Sequence, residues 1–205
     1  LQLLLDPTVN AAIITGPGGT GKTFLMGHLI DQVIPSYEAA CSLLGTEPLY
    51  TTVHMTATTN KAAEVLGKAT GRPASTIHSH LCLRIKTDYQ SGTQTLIPTP
   101  NFYVHTHEII FIDESSMADR DLLAWLEKGT QNCFLVFVCD DRQLPPVKEK
   151  LSRIFSMNLP VMDGWTAART LRADPGTARV PKSRAITSRI SATASCDRFT
   201  ESVRM

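Results

Sequence analysis

At 205 residues the chain suits one or two domains, and a hydrophobic content of 42% is enough for a real core. Twenty basic residues against 19 acidic ones leave a net charge of +1, so any nucleic-acid binding must come from local patches and not from a global basic excess. Five scattered cysteines without a C-x-x-C pair argue against a disulfide framework or a zinc-ribbon site and point to a reducing cytosol; no apolar run reaches the length of a membrane span. The chain begins at Leu1 rather than Met, and Leu1 to Leu5 is too short for a secretion signal.

The first predicted element is a short buried strand, Ala11–Thr15. Gly16-Pro17-Gly18-Gly19-Thr20-Gly21-Lys22-Thr23 follows and fits the phosphate-binding pattern G-x-x-x-x-G-K-[ST] at every position. A helix is predicted next, over Thr23–Ile34, stopped by Pro35. Strand, glycine loop and helix in that order are the context the motif requires. Glycines let the backbone take positive φ and approach a phosphate without a Cβ clash. Successive N–H groups then form an anion nest at the head of a helix. Lys22 would reach the β- and γ-phosphates of ATP, and the Thr23 hydroxyl would hold Mg²⁺. The bland alternative is a glycine-rich turn with a surface lysine.

Further along, apolar strands Tyr50–Thr56, Glu108–Ile112 and Cys133–Cys139 alternate with helices Asn60–Ala69 and Asp119–Lys128. Near-continuous apolar strands separated by helices predict a parallel α/β sheet, with functional residues at the strands' carboxyl ends. Residues 84–107 break this rhythm. Ile85 to Ile97 alternates around Ser91-Gly92 and reads as a β-hairpin inserted into the α/β core, with an exposed loop as the rival. From Gly176 onward Ser, Thr, Ala and Arg dominate without a period, so the tail is expected to be poorly ordered.

Two more clusters carry chemistry. The strand from Glu108 ends in Asp113-Glu114, where a P-loop enzyme places a Mg²⁺-binding aspartate and a carboxylate that deprotonates the attacking water. Acidic residues after a strand also simply start helices. The strand Cys133–Cys139 runs into Asp140-Asp141-Arg142-Gln143-Leu144-Pro145-Pro146-Val147. The Gln143 amide is placed to contact a γ-phosphate, although by spacing alone a polar turn fits as well.

In this order the glycine loop, Asp113-Glu114-Ser115-Ser116-Met117 and Asp140-x-x-Gln143-Leu144-Pro145-Pro146-Val147 resemble superfamily 1 helicases of the RecD and phage Dda type. Thr56-Ala57-Thr58-Thr59-Asn60-Lys61-Ala62-Ala63 resembles that family's motif Ia, and Thr76-Ile77-His78-Ser79 its Thr-Ile-His-Ser segment. The resemblance implies a P-loop NTPase (RecA-like) fold of the α/β class: a parallel sheet with helices on both faces and an inserted β-hairpin. It implies residues 1–155 as an ATP-dependent motor domain moving 5′ to 3′ on single-stranded DNA. Gly16, Gly18, Gly19, Thr20, Gly21, Lys22, Thr23 and Gln143 would hold ATP, and Thr23 and Asp113 the Mg²⁺. Lys22, Asp113, Glu114 and Gln143 would serve catalysis. Thr58, Thr59, Asn60, Lys61, Thr76 and His78 would meet the DNA, and the segment 85–107 would be the wedge that splits a duplex. The family carries Gly where Cys139 stands. It also carries a second RecA-like domain, for which residues 156–205 are too few, and an arginine that Arg169 and Arg172 match only in rough position. This leaves a truncated ATP-binding module, or another P-loop ATPase, as the alternatives.

Leu159 to Trp165 and Leu171 to Pro175 resemble a scrap of a response-regulator receiver domain, with Ser156 at the phospho-acceptor position and no acidic pocket, so no signalling role is expected. Two H-x-H pairs, His78/His80 and His105/His107, would each share a face on extended backbone, but no third metal ligand is evident. Trp125 and Leu122 stand at helical spacing and read as core.

Overall fold

In the apolar strands successive side chains point to opposite sides, and both sides are covered. The computed structural model describes residues 1–87, 89, 92, 94–140 and 159–163. In chain order these form α1 (Gln2–Leu5), β1 (Ala11–Thr15), α2 (Lys22–His28), a π-helical turn (Leu29–Val33), α3 (Ile34–Leu44), β2 (Thr52–Ala57), α4 (Asn60–Thr70), β3 (Ala74–Thr76) and α5 (Ile77–His80). Then come β4 (Leu83–Thr87), β5 (Gln94–Pro98), β6 (His105–Thr106), β7 (Glu108–Asp113), a 3₁₀ turn (Ser115–Met117), α6 (Arg120–Gly129), β8 (Thr130–Gln131), β9 (Phe134–Cys139) and β10 (Val161–Asp163).

Among the described residues the main sheet has six strands in the order β10-β1-β9-β7-β2-β3, and every pairing in it is parallel. Ile14, Ile109, Phe111, Phe134, Val136 and Val138 pack on one face against Leu25 and Met26 of α2, Ile34, Tyr37 and Cys41 of α3, and Leu66 of α4. Ile13, Ile110, Ile112, Phe137 and Cys139 pack on the other against Ile77 and Leu122 and Leu126 of α6. The period of two along each strand therefore divides the core into two layers of helix contact. This is the expected P-loop NTPase (RecA-like) architecture. Leu122 belongs to that core as expected, while Trp125 is only half-buried at its edge.

Two boundaries differ from the sequence expectation. Pro35 does not stop the first long helix, which continues to Leu44. The π turn widens the helix just ahead of it, with the Ile34 N–H donating to the Leu29 carbonyl. Proline then falls at the start of α3, where a missing N–H is tolerated. The main sheet also reaches past residue 155. Val161–Asp163 pairs in parallel with β1, and the Ile13 N–H donates to the Pro160 carbonyl at 2.8 Å.

The inserted hairpin is present as antiparallel β4 and β5, with Leu83 opposite Pro98 and Thr87 opposite Gln94. Its strand β5 is tied to α6: the Trp125 indole donates to the Leu96 carbonyl at 3.1 Å, and Phe102 meets the Trp125 ring edge-on. Among the described residues no helix is long and apolar enough to cross a membrane.

Candidate functional site

The carboxyl ends of β1, β9, β7 and β2 converge on one edge of the sheet. β1 runs into the glycine loop. Gly19 and Gly21 take φ of 75° and 91°, in the left-handed region that a side chain resists. A Cβ at Gly18 would stand 3.7 Å from an Asp140 carboxylate oxygen, so the loop lies over the end of β9. The Thr20 hydroxyl donates to the Pro17 carbonyl at 2.8 Å, which tightens the turn. Lys22 folds back across the loop, and its ammonium donates to the carbonyls of Gly16 at 2.7 Å and Pro17 at 3.0 Å. Thr23 follows in the first turn of α2, half-buried.

β9 lies between β1 and β7, with Thr15 beside Cys139 and Ile112 beside Phe137. Asp113 and Glu114 at the end of β7 thus stand one strand away from the loop. Burial raises the Asp113 carboxyl above the ordinary aspartate value, while the Glu114 N–H and the Lys22 charge draw it down. Cys139 is fully buried, and its thiol approaches the Ile14 carbonyl at 3.8 Å, so the residue in the family's glycine position fits between the two strands.

Glu114 has a left-handed backbone, φ 52°. A glutamate is held there only by its surroundings, a form of strain that concentrates at functional sites. Its N–H donates to the Asp113 carboxylate at 2.9 Å, and its carbonyl accepts the Thr58 hydroxyl at 3.2 Å. The Thr59 hydroxyl stands 3.5 Å from the Glu114 carboxylate. Ser115, buried behind this turn, donates to the Val138 carbonyl at 3.0 Å and fixes the turn to β9.

The residues expected to meet DNA fall on the same edge, at the ends of β2 and β3. Thr59 caps α4 by accepting from the Ala62 N–H at 3.1 Å, and Thr76 caps α5 by accepting from the Ser79 N–H at 3.1 Å. Both hydroxyls therefore have a structural task as well. Asn60 and Lys61 are exposed, and Thr58 and His78 half-buried. Burial lowers the His78 pKa, and the Asp119 carboxylate partly offsets this. Gln143, Ser156, Arg169 and Arg172 lie outside the described residues.

The two H-x-H pairs do not form as extended backbone predicts. His78 and His80 lie on α5, where residues two apart diverge. His80 turns instead to a cluster at the opposite end of β7, with His54, His105 and Glu108. His107 takes φ 60° and its Nδ1 meets the Leu49 carbonyl at 2.8 Å. Burial and the rings of His105 and His54 push the His80 pKa down to about 4, whereas the Glu108 carboxyl, in spite of its burial, is held below its usual value by the same histidines. Sequence reasoning missed this cluster. The only local signal was a glutamate opening an otherwise apolar strand.

A glycine loop after the first strand, a basic residue folded over it and two carboxylates one strand away define a P-loop nucleotide-binding domain. The family model described as AAA domain matches residues 2–158. The ATP-dependent DNA helicase dda of Enterobacteria phage T4 is 32% identical over 136 residues, covering 66% of this chain and 28% of the helicase. An uncharacterized protein of Methanocaldococcus jannaschii is 28% identical over 144 residues, 66% of this chain and 11% of its own length. Among solved structures, the Pif1 helicase from Candida albicans aligns over 77% of this chain and 34% of its own, with 22% identity and a TM-score of 0.43. The chain belongs to this AAA-domain family, as a RecA-like domain of the superfamily 1 helicase type. It spans well under half the length of each of these relatives.

Proposed function

We propose that this domain binds Mg²⁺-ATP at the loop Gly16–Thr23 and hydrolyses it to move 5′ to 3′ along single-stranded DNA. The observation that carries the reading is the convergence of that loop, Lys22, Asp113 and Glu114 at the carboxyl ends of β1, β9 and β7. The residues fit the group: Gly19 and Gly21 supply the positive φ of an anion nest, and Thr23 with Asp113 offers the hard oxygen donors that Mg²⁺ takes. Bound Mg²⁺ would neutralise charge on the phosphates. Lys22 would exchange its loop carbonyls for phosphate oxygens. Glu114, aimed by its left-handed backbone and the Asp113 contact, would orient the attacking water and take its proton. Gln143 would sense the γ-phosphate.

DNA would lie across Thr58, Thr59, Asn60, Lys61, Thr76 and His78, with the hairpin as the wedge. The relative named as an ATP-dependent DNA helicase supports this assignment. The contact of Thr59 with Glu114 offers a direct route between strand binding and hydrolysis. A second RecA-like domain would be the partner that completes the cleft.

The test is the ATPase rate of the purified chain with and without single-stranded DNA, alongside equilibrium binding of Mg²⁺-ATP. Hydrolysis that rises with DNA supports the motor reading. Binding without turnover supports the narrower reading of an ATP-holding module. A rate that ignores DNA removes the DNA assignment and leaves another P-loop ATPase.

A further inference from the structure

We propose that His54, His80 and Glu108 form a transition-metal site, best suited to Zn²⁺, that pins the root of the hairpin to the central sheet. Their ligand atoms all lie within 4.8 Å of one another. Nε2 of His80 stands 3.0 Å, and Nε2 of His54 3.6 Å, from the same Glu108 oxygen. A tetrahedral zinc with bonds of about 2.0–2.1 Å sets its ligand atoms about 3.3 Å apart, so the two distances bracket that spacing. The His54 contact is too long for a hydrogen bond. An ion held between His54 and Glu108 would replace that long contact with two metal–ligand bonds.

The topology explains how distant residues meet. Thr52 pairs with Glu108 across β2 and β7, so His54, two residues on, shares the face of Glu108. His80 closes α5 immediately before the turn into β4. A bound ion would therefore join two central strands to the segment that enters the hairpin. A supporting layer is already built. His105, itself buried, places Nδ1 3.0 Å from the other Glu108 oxygen and Nε2 3.0 Å from the His80 carbonyl. Such outer contacts orient a ligating carboxylate and hold a ligating ring's backbone. The His54 side chain is 41% exposed against 9% for His80 and 12% for Glu108, which gives an entry path and leaves a fourth position for water.

The donor set selects the ion. Two imidazoles and one carboxylate suit zinc, copper, nickel or iron(II), whereas Mg²⁺ and Ca²⁺ take oxygen ligands. The site is also separate from the nucleotide edge, because Glu108 opens β7 and Asp113 closes it.

The experiment uses the whole chain, stripped with chelator and titrated with zinc chloride against a chromophoric chelator, with cobalt(II) as spectroscopic probe. The expected result is one zinc per chain, a raised thermal midpoint, and a tetrahedral cobalt spectrum without thiolate charge-transfer bands. His54→Ala, at a half-buried position of β2, should weaken binding at least about tenfold, the lower end of what even an outer-contact loss costs, with thermal unfolding run beside it to show that the fold is kept. Asp113→Asn should leave it unchanged. No binding at micromolar zinc, equal binding by His54→Ala, or thiolate bands in the cobalt spectrum would each overturn the site.

Discussion

Lys22→Ala should cost far more in nucleotide affinity than in stability. In the free protein the ammonium donates to the Gly16 and Pro17 carbonyls at 2.7 and 3.0 Å. Gly16 is buried and Pro17 half-buried, but the exposed Gly18 and Gly19 stand beside them, so water should reach both carbonyls after truncation and the fold should lose about 1–2 kcal/mol. With ATP bound the same group would make two charge-assisted bonds to phosphate oxygens, about 3–6 kcal/mol gross. Subtracting the loop bonds given up leaves about 2–4 kcal/mol, or about 30- to 1,000-fold in Kd. The assay is equilibrium titration with a fluorescent ATP analogue and Mg²⁺, with thermal unfolding run in parallel. A Kd within twofold of the parent, with an intact transition, would refute the assignment of the loop.

Glu114→Gln should retain Mg²⁺-ATP binding and lose whatever hydrolysis the chain has, because an amide cannot accept the water's proton; single-turnover hydrolysis at the parental rate would exclude Glu114 as the base. Burial raises the Asp113 pKa in the folded state, so its contribution to stability is present at low pH and lost as the pH rises through that raised value. Asp113→Asn should therefore flatten the fall in thermal midpoint above about pH 4, the ordinary range of the group, and identical slopes in the two proteins would count against this. Trp125→Phe removes the indole bond to the Leu96 carbonyl and should cost about 0.5–1.5 kcal/mol. In a longer form that unwinds DNA, it should impair duplex opening while sparing DNA-stimulated ATPase, and equal unwinding would reject the hairpin as a wedge.

Much of the nucleotide edge was legible because its signals are local. β1 has the bounds that its apolar run predicts, and the loop after it needs glycines at fixed places. The hairpin was readable from alternation around a turn residue. What escaped depends on partners distant in sequence. The π turn that admits Pro35 has no mark in composition. The left-handed Glu114 goes against the residue's own preference and is accompanied by bonds to Thr58 and Asp113 that composition does not mark. The His54, His80, His105 and Glu108 cluster arises from strand register and a helix end, so spacing within the H-x-H pairs pointed to the wrong faces.

Helix α6 has two positions that bear on motion. Its cap, Asp119, accepts from the Leu122 N–H at 2.9 Å and lies five residues after Glu114, with only a 3₁₀ turn between. At mid-helix Trp125 holds hairpin strand β5. The ten-residue helix thus links the turn bearing Glu114, which the chain joins to it, to hairpin strand β5, which the indole hydrogen bond joins to it. A tilt of that turn would be carried along α6 to the hairpin through that bond.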